Sequence, residues 1–236
     1  MERRYLYSNK NTGKTVLLWH FESSGYPFWD EVRNNSVTLD QDAYESWGGD
    51  FTNMMNTASG KFGACLHMFN TSFGYMVRGT YYRTIDATKD FTIEFWVKRI
   101  YQYYDRNSYS WNTFFCCFNV NTGNGFYLNT YDAKDTGARI VIAESGASST
   151  GSSCNASNFV HFAFVFDKNN SILNVYVNGT LYASKSFTVA ANQTVRMHLG
   201  NNDISSAVYV DEFRISNCQR YTAPSFTVPS AAFTVD

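Results

Sequence analysis

The chain has 236 residues, enough for one large domain or two small ones, and its 19 Lys plus Arg against 20 Asp plus Glu give a net charge of −1. Such a balance offers no sustained positive field for a phosphate backbone or an anionic lipid surface, which argues against a nucleic-acid partner. Aromatic residues reach 18 %, with 17 Tyr and 20 Phe, and these side chains suit pleated, half-buried surfaces.

Residues 1–14, "MERRYLYSNKNTGK", carry charge with no apolar run behind them. They predict an N-terminal arm with neither a secretory signal nor membrane insertion. Period-two alternation then dominates the chain, with expected strands at "TVLLWHFE" (15–22) and "ACLHMF" (64–69). In "FTIEFWVK" (91–98), Phe91, Ile93, Phe95 and Val97 share one face and Thr92, Glu94, Trp96 and Lys98 the other, the pattern of a strand with one dry side. Trp96 on the polar face is a candidate ligand platform. The next stretch, "IYQYYDRNSYSWN" (100–112), is rich in rings. Tyr101, Tyr103, Tyr104, Tyr109 and Trp111, mixed with Asp105, Arg106 and Asn107, offer flat apolar faces beside hydrogen-bonding groups. That mixture suits a sugar ring, a protein partner, or simple cover for a sheet edge.

Further strands are expected at "TFFCCFNV" (113–120), "GFYLNTY" (125–131) and "ARIVIAE" (138–144), whereas "SGASSTGSSCNAS" (145–157) is too polar to pack and predicts a surface loop. Residues 159–187 predict three consecutive antiparallel strands, reversing at "DKNNS" (167–171) and at Asn178-Gly179, a pair suited to a two-residue type I′ turn. "TVRMHLG" (194–200) and "AVYVDEFRIS" (207–216) complete the set. So many short strands punctuated by Gly, Asn and Ser predict an all-β fold, a two-sheet antiparallel β-sandwich in a single domain over 15–216. Pro224 and Pro229 favour an extended tail over 217–236, with Tyr221, Phe226 and Phe233 as anchors on the sandwich.

Five cysteines, odd in number and without CxxC spacing, predict free thiols, and His20, His67, His161 and His198 lie on separate strands without metal-ligand spacing. Alternation puts Asp211 with Tyr209, Phe213 and Ile215, and Glu212 with Val210 and Arg214, so the two acids face opposite sides and cannot flank one glycosidic bond. Glu212 beside Arg214 reads as a solvated pair. A carboxylate on an apolar face must be hydrogen-bonded, paired or metal-bound. Two roles stay open for Asp211: acceptor of backbone amides at a sheet edge, or ligand of a structural calcium ion (Ca2+) with an oxygen of the first strand such as Glu22.

The end of the chain, "YVDEFRISNCQRYTAPSFTVPSAAF" (209–233), resembles the closing strand and tail of LamG-like jelly-roll domains of the concanavalin A-like lectin/glucanase superfamily, many of which sit in bacteriophage tail and virion proteins. "TVLLWHFESS" (15–24), "KDFTIEFWVKR" (89–99) and "NFVHFAFVFDKNNSILNVYVNGTLYAS" (158–184) follow the order of such domains. The resemblance implies two antiparallel sheets, one concave, with a binding surface on the concave face or its rim. Members with glucanase activity carry paired acids of the form ExDxxE, for which "FTIEFWVK" offers only Glu94, so the expectation is a protein that is not an enzyme. The expected role is a capsid decoration or auxiliary protein of a phage virion with a lectin-like domain that binds glycans. A tail-associated adhesin recognising host carbohydrate is the alternative. Expected partners are phage capsid or tail proteins and cell-surface or mucus glycans.

Overall fold

The computed structural model describes residues 14–22, 28–37, 55–56, 60–68, 78–84, 88–102, 112–117, 125–130, 138–143, 148–152, 158–188, 194–200 and 206–236. Every regular element among them is a β-strand: β1 Thr15–Trp19, β2 Phe28–Asp30, β3 Asn35–Val37, β4 Met55–Asn56, β5 Cys65–Met68, β6 Arg78–Thr84, β7 Phe91–Gln102 and β8 Asn112–Cys117. The series continues with β9 Gly125–Thr130, β10 Ala138–Ala143, β11 Ser148–Ser152, β12 Val160–Asp167, β13 Ile172–Val177, β14 Thr180–Ser186, β15 Thr194–Gly200 and β16 Ser206–Ser216. One sheet has eight strands in the order β14-β13-β12-β7-β16-β5-β4, with β1 also on β16; the other has six in the order β11-β10-β9-β8-β15-β6. β2 and β3 form a separate hairpin. This is the expected antiparallel β-sandwich, with first and last strands side by side: Thr15 pairs with Ser216 and Trp19 with Phe213.

The core grows from the alternation in β7 and β12. Phe95 lies opposite Phe162, Ile93 opposite Phe164 and Phe91 opposite Phe166, all fully buried or within 1 % of it. Phe213 stacks on Trp19 at 5.5 Å and on Phe95 at 5.7 Å between ring centroids, carrying the aromatic row into β1. Each such side chain contributes about 1.5–3 kcal/mol on leaving water. The two reversals within 160–186 follow from their residues. Asp167 accepts hydrogen bonds from the Asn170 backbone (3.1 Å) and side-chain amide (2.8 Å), and Asn178 and Gly179 take φ 48° and 77°, the pair of positive values a type I′ turn requires. A Cβ on Gly179 would lie 2.2 Å from the Phe226 carbonyl oxygen, so only glycine lets the tail cross there.

Two expectations are overturned. Residues 145–157 are not simply a loop, because β11 pairs with β10 from Ala138↔Ser152 to Ile142↔Ser148. A ladder at a sheet edge needs only backbone groups, which Ser, Thr and Gly supply as well as apolar residues do. The strict alternation assumed for β16 also fails. Asp211 pairs with Trp96 but Arg214 pairs with Glu94, so two residues of β16 oppose the single Phe95, and Glu212 sits at φ 54° in this bulge. Beyond the bulge the faces exchange: Val210, Phe213 and Ile215 go to the core, while Asp211 and Arg214 go to the outer face of the eight-stranded sheet.

That outer face is dry as well. Thr92, Glu94 and Trp96 are at most 2 % exposed, because residues 217–236 lie across them. Phe233 packs with Leu18 and Trp96, and Tyr221 and Phe226 pack on Ala163, Val165 and Tyr176. The Tyr221 and Phe226 rings are parallel and 3.5 Å apart. Backbone contacts of the tail are sparse: a bridge between Thr180 and Ser225, and hydrogen bonds from Leu181 N to Pro224 O, Phe226 N to Gly179 O and Asn217 N to Lys14 O.

Candidate functional site

The bulge and the tail together create a buried polar cluster on what would otherwise be an open sheet face. Glu94, fully buried, accepts from Arg214 Nε (2.9 Å) and Nη2 (2.7 Å) on one oxygen, and from His161 Nε2 (3.2 Å) and Tyr221 Oη (2.7 Å) on the other. Arg220 Nε stands 3.5 Å away. Burial alone would raise the carboxyl pKa. The His161 hydrogen bond, the charges of Arg214 and His161, and the Tyr221 hydroxyl outweigh it and hold Glu94 below its ordinary range. Tyr221 moves the other way, its phenol raised by burial and by the charge of Glu94. An ionised acid with every approach filled by protein donors binds structure together; it is in no position to protonate or attack a substrate.

Glu212 forms the second node. Fully buried, it accepts from His20 Nδ1 at 2.7 Å and from the Phe233 backbone N–H at 2.5 Å. Burial disfavours the imidazolium of His20, but its hydrogen bond to Glu212 and the charges of Glu212, Glu31 and Glu22 prevail and raise the pKa above 6.5. Glu212 and Arg214 are therefore not the solvated pair expected: each is buried and engaged elsewhere. At the third node, Arg220 Nη2 donates to Asp236 (2.7 Å) and to Thr15 Oγ1 (2.8 Å), and Thr15 Oγ1 donates to Asp236 (2.5 Å). The Arg220 bond and charge lower the Asp236 carboxyl to about 2.

Asp211 and Glu22 come together on one turn. Asp211 Oδ2 accepts from Lys61 N (2.6 Å) and Phe62 N (3.0 Å), and its Oδ1 from Glu212 N (2.9 Å). Glu22 Oε2 accepts from Ala64 N at 3.2 Å. Both acids thus clamp one turn, residues 60–64, whose Gly63 at φ 129° leaves room for the Glu22 carboxylate. Calcium demands six to eight oxygens. Here the acceptors are taken by amide N–H groups of the 60–64 turn and of Glu212, and no group of three His, Cys, Asp or Glu suited to a metal occurs among the described residues. Of the two roles left open for Asp211, this geometry is that of an acceptor of backbone amides. Burial, ahead of these amide bonds, pushes the Asp211 carboxyl up to about 6.

The remaining sequence candidates separate. Trp96 is 2 % exposed beneath Phe62 and Phe233, with the Lys61 ammonium 4.4 Å over its ring, so it is no ligand platform: the tail that the alternation could not reveal covers it. Tyr101 lies on β7 opposite Ala207, its side chain outside the described set. Tyr103, Tyr104, Tyr109 and Trp111 lie outside the described residues. Sequence reasoning missed the grouping of His161, Arg214 and Tyr221 about Glu94. Its one signal was the acid of "FTIEFWVK" at a mid-strand position, where burial demands a cation.

A two-sheet antiparallel sandwich with one face sealed by its own tail, and with its buried acids committed to structure, has the architecture of a jelly roll. Residues 74–223 match the family model described as the Concanavalin A-like lectin/glucanases superfamily, and the chain belongs to that superfamily. No curated protein sequence matches it. Among solved structures, the binding domain of Paraclostridial Mosquitocidal Protein 1 is similar at a TM-score of 0.60 and 13 % identity, over 88 % of this chain and 50 % of that one. The binding domain of botulinum neurotoxin DC in complex with SialylT gives 0.57 and 12 %, over 89 % and 49 %. Domain 4 of AbnA, a GH43 extracellular arabinanase from Geobacillus stearothermophilus in complex with arabinotriose, gives 0.57 and 19 %, over 88 % and 94 %. The chain spans about half the length of the toxin binding domains. No helix among the described residues is long and apolar enough to cross a membrane.

Proposed function

We propose that this chain is a non-enzymatic carbohydrate-binding protein of a bacteriophage virion surface, serving as a capsid decoration or auxiliary protein, with its glycan site on the six-stranded sheet and the aromatic stretch 100–112. The observation that carries the site is the sealed outer face of the eight-stranded sheet, where Glu94, Glu212 and Trp96 are covered by residues 217–236. The other sheet is what remains for a ligand. The SialylT and arabinotriose complexes of similar folds support the ligand class. The sequence of the 100–112 stretch, with Tyr101, Tyr103, Tyr104, Tyr109 and Trp111 among Asp105, Arg106 and Asn107, has the composition of a sugar-binding surface. The virion setting rests on the likeness of residues 209–233 to phage domains.

A tail-associated, receptor-binding adhesin is the second reading, favoured by the toxin binding domains among the similar structures. A glycan array probed with the purified protein, with calcium and with chelator, tests the binding. Selective binding abolished by W111A or Y104A supports the site, and absence of binding across the array refutes the glycan reading. Antibody labelling of particles in the electron microscope then separates capsid from tail, and particles without label refute the virion setting.

A further inference from the structure

The tail is joined to the sandwich in an unusual way for a closing segment. It adds no strand to either sheet; it is held by the rings of Tyr221, Phe226 and Phe233, a few backbone bonds, hydroxyl contacts at Thr15, Thr92 and Ser216, and carboxylate contacts at Glu94, Glu212 and Asp236. Beneath it the eight-stranded sheet keeps the polar alternation of a face that tolerates water, with Thr92, Glu94, His161, Asp211, Arg214 and Ser216 among Trp96, Ala163 and Tyr176. Uncovering such a face costs far less than opening the phenylalanine core on the other side of the same strands.

We propose that residues 217–236 are an acid-releasable strap, fastened to the sandwich by Glu94 to Tyr221, by Glu212 to Phe233 N–H and by Asp236 to Thr15, whose opening uncovers the polar and aromatic face around Trp96 and His161 while both sheets stay folded. Each fastening has a carboxylate as its acceptor, the group that acid neutralises. Glu94 is faced by Arg214 from β16, His161 from β12, and Arg220 and Tyr221 from the tail. Glu212 is faced by His20 next to β1, and its own N–H is bound by Asp211. Asp236 is faced by Arg220 and Thr15. Protonating a carboxylate removes its attraction for these cations and leaves the cations repelling one another. Because Glu94 and Asp236 are held below their ordinary ranges, they keep the strap closed near neutrality and lose it in acid. Phe233 ties the fastenings together, its ring 4.0 Å from the Arg214 guanidinium carbon while its N–H is on Glu212.

The test is amide hydrogen exchange on the full chain, read at Phe226 and Phe233 in the strap and at Phe164 in β12. In the wild type at neutral pH, the two strap amides should exchange together and faster than Phe164. In a Y221F/E212Q double variant their protection should fall about tenfold or more, the scale of losing a charge-assisted hydrogen bond, with Phe164 unchanged. Acidification of the wild type to about pH 2, where Asp236 takes up its proton, should produce the same selective loss. A single common rate for all three amides in the wild type would overturn the proposal without recourse to any variant. So would strap protection unmoved in the double variant, or strap and β12 protection lost in step.

Discussion

Replacing Glu94 by Gln tests the central cluster with the smallest change of shape. The amide keeps the volume but removes the charge, leaving the Arg214 guanidinium, 8 % exposed at its side chain, without the counter-ion whose oxygen it now grips at 2.7 and 2.9 Å. Removing one partner of a buried pair costs about 3–5 kcal/mol, because the other charge stays desolvated. With an unfolding entropy of ~0.5 kcal/mol/K for a chain of this length, that is a Tm lower by about 6–10 °C. Urea unfolding followed by fluorescence would measure it. An E94L/R214M double variant, which deletes both charges, should lose less than E94Q alone, since no unpaired charge remains. A loss under about 1 kcal/mol for E94Q, or additive losses in the double variant, would refute the claim that this pair governs the outer face.

Gly179→Ala should destabilise by about 2 kcal/mol or more, since it adds positive-φ strain and a close approach to the Phe226 carbonyl, whereas Asn178→Gly should cost about 1 kcal/mol in the same urea assay, because it keeps the turn but removes the Oδ1 that accepts the His161 N–H. Asp211 has its carboxyl raised to about 6, so the fold binds its proton more tightly than the unfolded chain does. Its contribution to stability therefore falls as pH rises from about 4 to about 6, and D211N should abolish that slope while leaving the acid limb set by Glu94. His20, raised above 6.5, contributes stability below its unfolded pKa and loses it as pH rises through the folded value; NMR titration should find its midpoint lowered in E212Q. Chelator should leave Tm unchanged, because the Asp211 and Glu22 oxygens hold amides of the 60–64 turn; a fall in Tm would restore the calcium reading.

Alternation made most of the eight-stranded sheet legible. The three strands of 160–186 and their turn at Asn178-Gly179 follow directly from the pattern, because one face of each strand is strongly apolar and the turn residues admit positive φ. What escaped had no such contrast. β2 and β3 are three residues each, too short to show a period, and β11 is built of Ser, Thr and Gly. The bulge at Glu212 could not be read, since "VDEFRI" alternates plausibly in either register and only the pairing with Trp96 and Glu94 fixes the faces. The tail's rings were visible as anchors, yet their consequence, a second dry face that buries Trp96 and Glu94, depends on contacts more than 120 residues apart in sequence, such as Tyr221 on Glu94.

The side-by-side placement of β1 and β16 has a consequence for biosynthesis. Thr15–Trp19 leaves the ribosome early, but its partner, centred on Phe213–Ser216, is made nearly 200 residues later. At ordinary elongation rates the apolar "TVLLW" waits about 10–40 s without its neighbour. During that interval it is an unpaired edge on a nascent chain, open to pairing with other chains. Chaperone demand should thus concentrate on β1, and any premature stop before β16 should yield aggregate in place of a shortened domain.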